Sequence, residues 1–255
     1  MKRKLWNKDT ILMLQGNAVS ALGDILYSVA IGYWVYEKTG SSALMGIMSS
    51  ISMFMTMLVM PFSGSIIDKC SRKLIIVGMD TLRGVIMLAL GVLAFADSLS
   101  VPVVLAAAFL ASACSVFFSP AVSTLMLDII PHDDMVRGQS VFSGVNSFIN
   151  LVGKAISGAL VAFLGVPLIV LLNGVSYLVS AFTELFITVP KTVHQGEKIT
   201  LGGIFSDFRV AVREIFRNRY LKLFIPCALI LNLLSAGSMT LMLPFTLEKG
   251  FTVDM

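Results

Sequence analysis

Residues 64–73 read GSIIDKCSRK and place one acidic and three basic side chains between two long apolar runs. The run that leads into them, residues 43–67, carries no charge, and the run that follows, residues 74–96, carries only Asp80 and Arg83. Because a charged turn is not tolerated in hydrocarbon, we expect a short loop at a membrane surface. Its excess of basic residues favours the cytoplasmic surface.

The composition indicates an integral membrane protein. The chain is 56% hydrophobic and 13% charged, with a mean hydropathy of +0.89. A soluble domain has about one quarter charged residues, so this chain has too few to cover a globule. The net charge of +4 is spread over the ends of apolar runs, which predicts membrane topology rather than nucleic-acid binding.

The apolar runs predict an all-α, polytopic membrane protein with seven spans, each longer than the ~20 residues that cross a bilayer. Thr39 to Ser42 form a predicted turn with a helix cap, and Gly165-Val166-Pro167 is so short that spans five and six must form a tight helical hairpin. The spans are residues 10–36, 43–67, 73–96, 101–127, 137–164, 167–189 and 219–247.

The distribution of Lys and Arg predicts a cytoplasmic N-terminus. With these spans, fifteen of the 19 basic residues fall on the side of the N-terminus and two, Lys38 and Lys249, fall on the other side. Basic residues are retained on the cytoplasmic side of membranes. The two remaining cations, Arg83 and Lys154, lie within predicted spans.

The connection after the sixth span differs from the others because it is long and basic. Residues 191–218 contain a predicted amphipathic helix that would lie on the inner leaflet, with arginines 209, 213 and 217 along one side. The expected organisation is therefore a six-helix bundle (1–190), a cytoplasmic linker (191–218), and the first helix of an incomplete second bundle (219–255).

The charged turn resembles the signature loop between helices two and three of the major facilitator superfamily. The matching pattern is Gly64-x-x-x-Asp68-Lys69-x-x-Arg72-Lys73. Ser71 stands where the family has a second glycine, and its hydroxyl is expected to cap the third helix. The resemblance implies the N-terminal half, plus one helix, of a transporter with two six-helix halves around a central site.

Three further segments resemble the bacterial macrolide-efflux type of exporter: Gly23-Asp24, Thr39-Gly40-Ser41 and Ser119-Pro120-Ala121. This resemblance implies proton-coupled efflux of amphipathic drugs by alternating access, in the bacterial cell membrane. It implies no enzyme activity, cofactor or metal site, and the expected partners are lipid, protons, a small substrate, and a second half or oligomer partner. Two alternatives remain: export of another molecule, such as a siderophore or metabolite, or a truncated, non-transporting fragment.

The resemblance also implies a conformational latch in the charged turn, formed by Gly64, Asp68, Lys69, Arg72 and Lys73. In the family, an acid at this position docks on the other half and stabilises one conformation. The two lysines are equally consistent with mere topology markers.

The intramembrane polar residues are the candidates for proton or substrate binding. Asp24, with Asn17 nearby in the first span, should face a cavity or a partner, because a charge at that depth costs about 2.5–3.5 kcal/mol. The alternative is a structural acid bonded to neighbouring polar residues. Asp80 and Arg83 lie three residues apart on one helix face, and a structural pair is the favoured interpretation.

Lys154 replaces a proline that related exporters tend to have in the fifth helix. It could pair with Asp24, line the cavity, or reflect relaxed constraint. Gly153 and Gly158, on either side of it, are expected to be close-packing positions. Asp128 and Glu184, near the inner ends of helices four and six, are expected to anchor interfaces or pair with the basic loop.

Overall fold

The computed structural model describes residues 5–188, 201–228 and 230–231. The chain divides into two compact units, residues 1–199 and 200–255. In the part that the structure describes, every regular element is a helix, which confirms the all-α prediction. The first unit contains α1 (Lys8–Thr39), α2 (Ser42–Lys69), α3 (Arg72–Phe95), α4 (Val101–Ile129), a 3-10 turn (His132–Asp134) and α5 (Met135–Glu184).

Helix boundaries follow from local capping chemistry. The side chain of Asn7 accepts a hydrogen bond from the Thr10 amide at 2.8 Å and starts α1. Gly40, with φ of 63°, ends α1 in a left-handed conformation that favours glycine, and the Ser41 hydroxyl accepts from the Leu44 amide to start α2. The predicted turn with a cap is therefore confirmed. The expectation for Ser71 was wrong, since its side chain makes no capping hydrogen bond to α3.

The long helix α5 consists of two arms, residues 135–164 and 166–184, that meet at Gly165. Gly165 has φ of 76° and ψ of 159°, which is not helical and favours glycine, and Pro167 starts the second arm. Contacts with α1 show that the arms run in opposite directions. Asn17 meets Asn146 while Gly153 lies against Ile25, so the first arm runs parallel to α1.

The second arm runs antiparallel to α1. Gly16 of α1 lies against Ser180, whereas Gly23, further along α1, lies against Asn173. The predicted tight hairpin between spans five and six is confirmed by this reversal.

Two apolar clusters close the two ends of the bundle. At the predicted inner end, Met13, Ile76 and Leu125 belong to one buried cluster; towards the other end, Ile31 and Leu90 belong to a second. Several of the buried polar residues come from α3 and the second arm of α5, namely Asp80, Arg83, Asn173, Ser180 and Glu184. Their placement within apolar helices makes them the candidates for a functional site.

Four of the described helical segments are long and apolar enough to cross a membrane: Lys8–Thr39, Arg72–Phe95, Val101–Ile129 and His132–Glu184. The last of these contains both arms of α5. Helix α2, with 28 residues, also exceeds the length that a bilayer requires. The six predicted spans before residue 190 therefore coincide with helices.

The second unit contains α6 (Leu201–Arg217), and residues 219–228 and 230–231 are helical. In α6, Arg209 and Arg213 are exposed while Phe208 and Val212 are half-buried, as an amphipathic helix requires. Residues 191–200 of the predicted linker and most of the predicted seventh span lie outside the described residues. The division into bundle, linker and second bundle stays a prediction.

Candidate functional site

Asp24 lies in the wall of a cavity of about 310 Å³ in the first unit. Apolar and small side chains form most of the wall, and Ser28, Ser112 and Ser115 add hydroxyl groups. The cavity is lined by Asp24, Tyr27, Ser28, Ile31, Gly32, Met48, Met87, Ala108, Ala111, Ser112, Ser115 and Tyr177. A carboxyl group in such a wall can exchange a proton or bind a polar group of a substrate.

The partner of Asp24 is Tyr177, whose hydroxyl donates a hydrogen bond to Asp24 Oδ1. Tyr177 is 2% exposed and comes from the second arm of α5, so this bond joins the first and last helices of the bundle. Asn173, one turn earlier on the same arm, also interacts with the carboxyl group. Neither residue was predicted from the sequence, because Tyr and Asn in an apolar helix carry no distinctive spacing.

Arg83 links this site to α3. Its Nη2 forms an ion pair with Asp80 Oδ1 within the same helix, which confirms the predicted pair. Its guanidinium also lies 4.2 Å from the ring centroid of Phe118 and 4.6 Å from that of Tyr177. A cation this close to two aromatic rings is attracted to both of them. Arg83 therefore holds the Tyr177 ring that in turn bonds Asp24.

Of the three alternatives for Lys154, the structure does not support the pair with Asp24. Lys154 is exposed, and the groups that stabilise the charge of Asp24 are Tyr177, Arg83 and Asn173. Beside it, a Cβ atom on Gly153 would lie 3.2 Å from the side chain of Ile25, as expected for a close-packing position. The expectation for Gly158 was wrong, because a Cβ atom there would meet no described atom within 4 Å.

Asn17 lies in a different cavity from Asp24. Its side-chain amide donates to Asn146 Oδ1 at 3.2 Å and contributes to a cavity of about 190 Å³ between α1, α4 and the first arm of α5. Gln139, Ser119 and Ser143 also line this cavity, which makes its wall rich in uncharged polar groups. The structure therefore separates two residues that the sequence analysis grouped.

The charged turn is held to α4 by an ion pair. Arg72 Nη1 lies 2.6 Å from Asp128 Oδ2 and 3.4 Å from the carbonyl oxygen of Thr124. The expectation that Asp128 pairs with the basic loop is confirmed. Asp68 is exposed at the end of α2, and a Cβ atom on Gly64 would meet no described atom within 4 Å. The predicted latch role of the turn stays a prediction.

Glu184 lies inside the bundle rather than at an interface. It is 1% exposed, and its Oε1 accepts a hydrogen bond from Ser180 at 3.2 Å. Near it, Asp80 is fully buried and interacts with the same serine. The expectation of an interface anchor was therefore wrong. In residues 5–188, 201–228 and 230–231, no cluster of His, Cys, Asp and Glu has the arrangement of a metal site.

Comparison with known proteins agrees with this architecture. Residues 13–255 match the model of the Major Facilitator Superfamily. The chain is 30% identical over 217 residues to "Putative bacilysin exporter BacE" of Bacillus subtilis, over 82% of this chain and 51% of that protein. It is 22% identical over 186 residues to "Macrolide efflux protein A" of Streptococcus pyogenes, over 73% of this chain and 46% of that protein.

A third relative, "Uncharacterized MFS-type transporter YkuC" of Bacillus subtilis, is 21% identical over 97% of this chain. The chain spans about half the length of the curated relatives it matches. The family match, the relatives and the membrane-length helices confirm the resemblance that the charged turn indicated. The chain belongs to the major facilitator superfamily of membrane transporters.

Proposed function

We propose that the protein takes part in the export of a small amphipathic molecule, driven by protons that bind and leave Asp24. The observation that carries this proposal is a carboxyl group in the wall of a mainly apolar cavity, within a membrane-spanning helix. A transporter of this family moves its substrate by alternating access, as two halves rock around a midplane site. A second six-helix half, either in the same polypeptide or in another copy of the protein, would complete that site.

The chemistry of the cavity suits a competition between proton and substrate. An ionised Asp24 is stabilised by the Tyr177 hydroxyl and by the nearby charge of Arg83, and it attracts a positively charged or hydrogen-bonding group. Protonation removes that attraction and releases the group. Because the two protonation states bind the substrate differently, they bias the inward- and outward-open conformations differently. A proton entering down its gradient can thereby drive substrate outward.

The proposed substrate is a macrolide-like drug, as for the efflux protein of Streptococcus pyogenes that this chain resembles. A cavity with an apolar wall and a few hydroxyls fits an amphipathic molecule. The second candidate is a bacilysin-like product, which the 30% identity to the named bacilysin exporter favours. In this proposal the protein lies in the bacterial cell membrane with its N-terminus in the cytoplasm, and it has no enzyme activity.

The test is uptake of a labelled macrolide into everted membrane vesicles that contain the protein and carry an acidic interior. We expect the wild-type protein to take up the macrolide and a protonophore to abolish this uptake. We expect the Asp24→Asn variant to show no uptake. Asp133→Asn is the matched control, because Asp133 is exposed on the 3-10 turn and lines neither cavity. Equal uptake by wild type and Asp24→Asn would refute the coupling role.

Labelled bacilysin in the same vesicles separates the two substrates. Uptake of bacilysin without uptake of the macrolide would show that the substrate is bacilysin-like and not macrolide-like. Well-inserted protein that takes up neither compound would instead favour the non-transporting alternative.

A further inference from the structure

A second polar site lies deeper in the bundle than the Asp24 cavity. The second arm of α5 carries Tyr177, Ser180 and Glu184 at spacings of three and four residues, which place them on one helix face. Asp80 of α3 lies opposite this face. Asp80 is 0% exposed and Glu184 is 1% exposed, so neither carboxyl group is in contact with solvent or lipid headgroups.

The acids around this face outnumber the cations. Three carboxyl groups, on Asp24, Asp80 and Glu184, interact with one another or with the same cation, which is Arg83. Arg83 forms its ion pair with Asp80 and lies between two aromatic rings. In the part of the chain that the structure describes, Glu184 therefore has no cation that pairs with it alone.

The other titratable groups nearby supply no positive charge. Helix α4 contributes the thiol of Cys114, and α1 contributes Asp24 and the hydroxyl of Tyr27. At the start of α1, Lys8 is exposed and lies over the ring of Phe186, outside this buried set. Two carboxylates that share a buried site repel each other, and binding of one proton between them removes the repulsion.

The hydrogen bonding also favours one bound proton at Asp80 and Glu184. Asp80 Oδ2 and Glu184 Oε2 are buried and have no hydrogen-bond partner among the described residues. Ser180 has one hydroxyl proton and interacts with both carboxyl groups, so it can donate to only one of them. If Glu184 or Asp80 is protonated, its own O–H can donate to Ser180 while Ser180 donates to the other carboxylate.

We propose that Asp80 and Glu184, bridged by Ser180, form a buried proton-binding site that holds one proton and is distinct from Asp24. Within this site Asp80 is the ionised partner, because it pairs with Arg83, and Glu184 carries the proton. The inference does not depend on transport, since it concerns proton binding by the folded protein. The proposal predicts that replacing Glu184 and replacing Asp80 by their amides will have different effects on the stability of the protein.

The direct test is infrared spectroscopy of the purified protein at neutral pH, in an Asp24→Asn background that removes the cavity acid. We expect a carbonyl stretch from a protonated carboxyl group, and we expect Glu184→Gln to eliminate it. Absence of the band from the Asp24→Asn protein would overturn the proposal. Persistence of the band after Glu184→Gln would also overturn it, because the proton would then belong to another group.

If Glu184→Gln fails to fold, isotope labelling of the Asp24→Asn protein keeps the test decisive. A band that shifts when glutamate carboxyls carry carbon-13, and not when aspartate carboxyls do, supports a proton on Glu184. A band that shifts with neither label overturns the proposal.

Thermal unfolding in detergent gives an independent readout. Glutamine mimics a protonated glutamate in shape and hydrogen bonding, so Glu184→Gln should unfold near the wild-type temperature. Asp80→Asn should unfold at a clearly lower temperature, because it leaves the buried Arg83 without its anion. The reverse order of the two variants would contradict the assignment of the proton to Glu184.

Discussion

The Tyr177 hydroxyl donates a hydrogen bond to Asp24, and the same tyrosine ring lies 4.6 Å from the guanidinium of Arg83. The two contacts use different parts of one side chain. The hydroxyl bonds the carboxyl group of α1 and also accepts a hydrogen bond from Arg83 Nη1 at 3.5 Å, whereas the ring packs against the guanidinium. Removal of the hydroxyl alone therefore deletes both of its hydrogen bonds and keeps the ring contact.

Tyr177→Phe is expected to fold normally and to reduce transport. The ring that packs against Arg83 is kept, whereas the hydroxyl loses its hydrogen bond to Asp24, a bond to a charged group worth about 1.5–3 kcal/mol, and the longer hydrogen bond that it accepts from Arg83. We expect initial uptake in everted vesicles to fall about tenfold, equivalent to about 1.4 kcal/mol. Wild-type uptake by Tyr177→Phe would contradict this prediction.

The sequence predicted the helices more completely than the site. Span limits and the hairpin at Gly165 follow from apolar runs, glycine and proline, which act locally. Asp24, Asp80 and Arg83 stood out because a charge in an apolar helix is costly. Tyr177 and Ser180 did not stand out, because such residues are common in spans and their roles depend on which helices meet. The alternatives for Lys154 stayed open for the same reason, because its exposure depends on how the first arm of α5 is rotated.

The ion pair between Arg72 and Asp128 should stabilise the junction of α2, α3 and α4. Its atoms are 2.6 Å apart and the side chains are only 21% and 15% exposed, so solvent screens the pair incompletely. We expect Arg72→Ala or Asp128→Ala to cost about 1–2 kcal/mol, measured as a lower unfolding temperature in detergent. The exchanged pair, Arg72→Asp with Asp128→Arg, should recover part of that loss. If the exchanged pair recovers no stability, the geometry of the ion pair, rather than the presence of opposite charges, is what stabilises the junction.

The contact of α3 with the second arm of α5 should not tolerate a larger residue at Gly174. A Cβ atom there would lie 2.8 Å from the backbone nitrogen of Leu88, which cannot move independently of α3. Gly174→Ala is expected to cost about 1–3 kcal/mol, as overpacking does. Gly78→Ala is the control, because a Cβ atom there meets no described atom within 4 Å and alanine favours helix by about 1 kcal/mol. Equal unfolding temperatures for the two variants would refute the packing argument.

The proposed orientation predicts which single cysteines react from outside intact cells. Lys38, at the end of α1, and Asp133, on the 3-10 turn, are both exposed and should lie on opposite sides of the membrane. In a protein whose Cys70, Cys114 and Cys227 are replaced by serine, we expect an impermeant thiol reagent to label Lys38→Cys. It should label Asp133→Cys only after the cells are opened. The opposite pattern would invert the topology.

Arg83 should be the residue whose loss destabilises the bundle most. It is 4% exposed, pairs with Asp80 and lies between the rings of Phe118 and Tyr177. Arg83→Met keeps much of the side-chain volume but leaves Asp80 as a buried, unpaired charge, which costs about 3–5 kcal/mol. We expect a much lower unfolding temperature and a smaller yield of monodisperse protein in detergent. Adding Asp80→Asn removes the unpaired charge, so the double variant should be more stable than Arg83→Met alone. A double variant that is less stable than Arg83→Met would contradict the argument that the unpaired charge of Asp80 causes the loss.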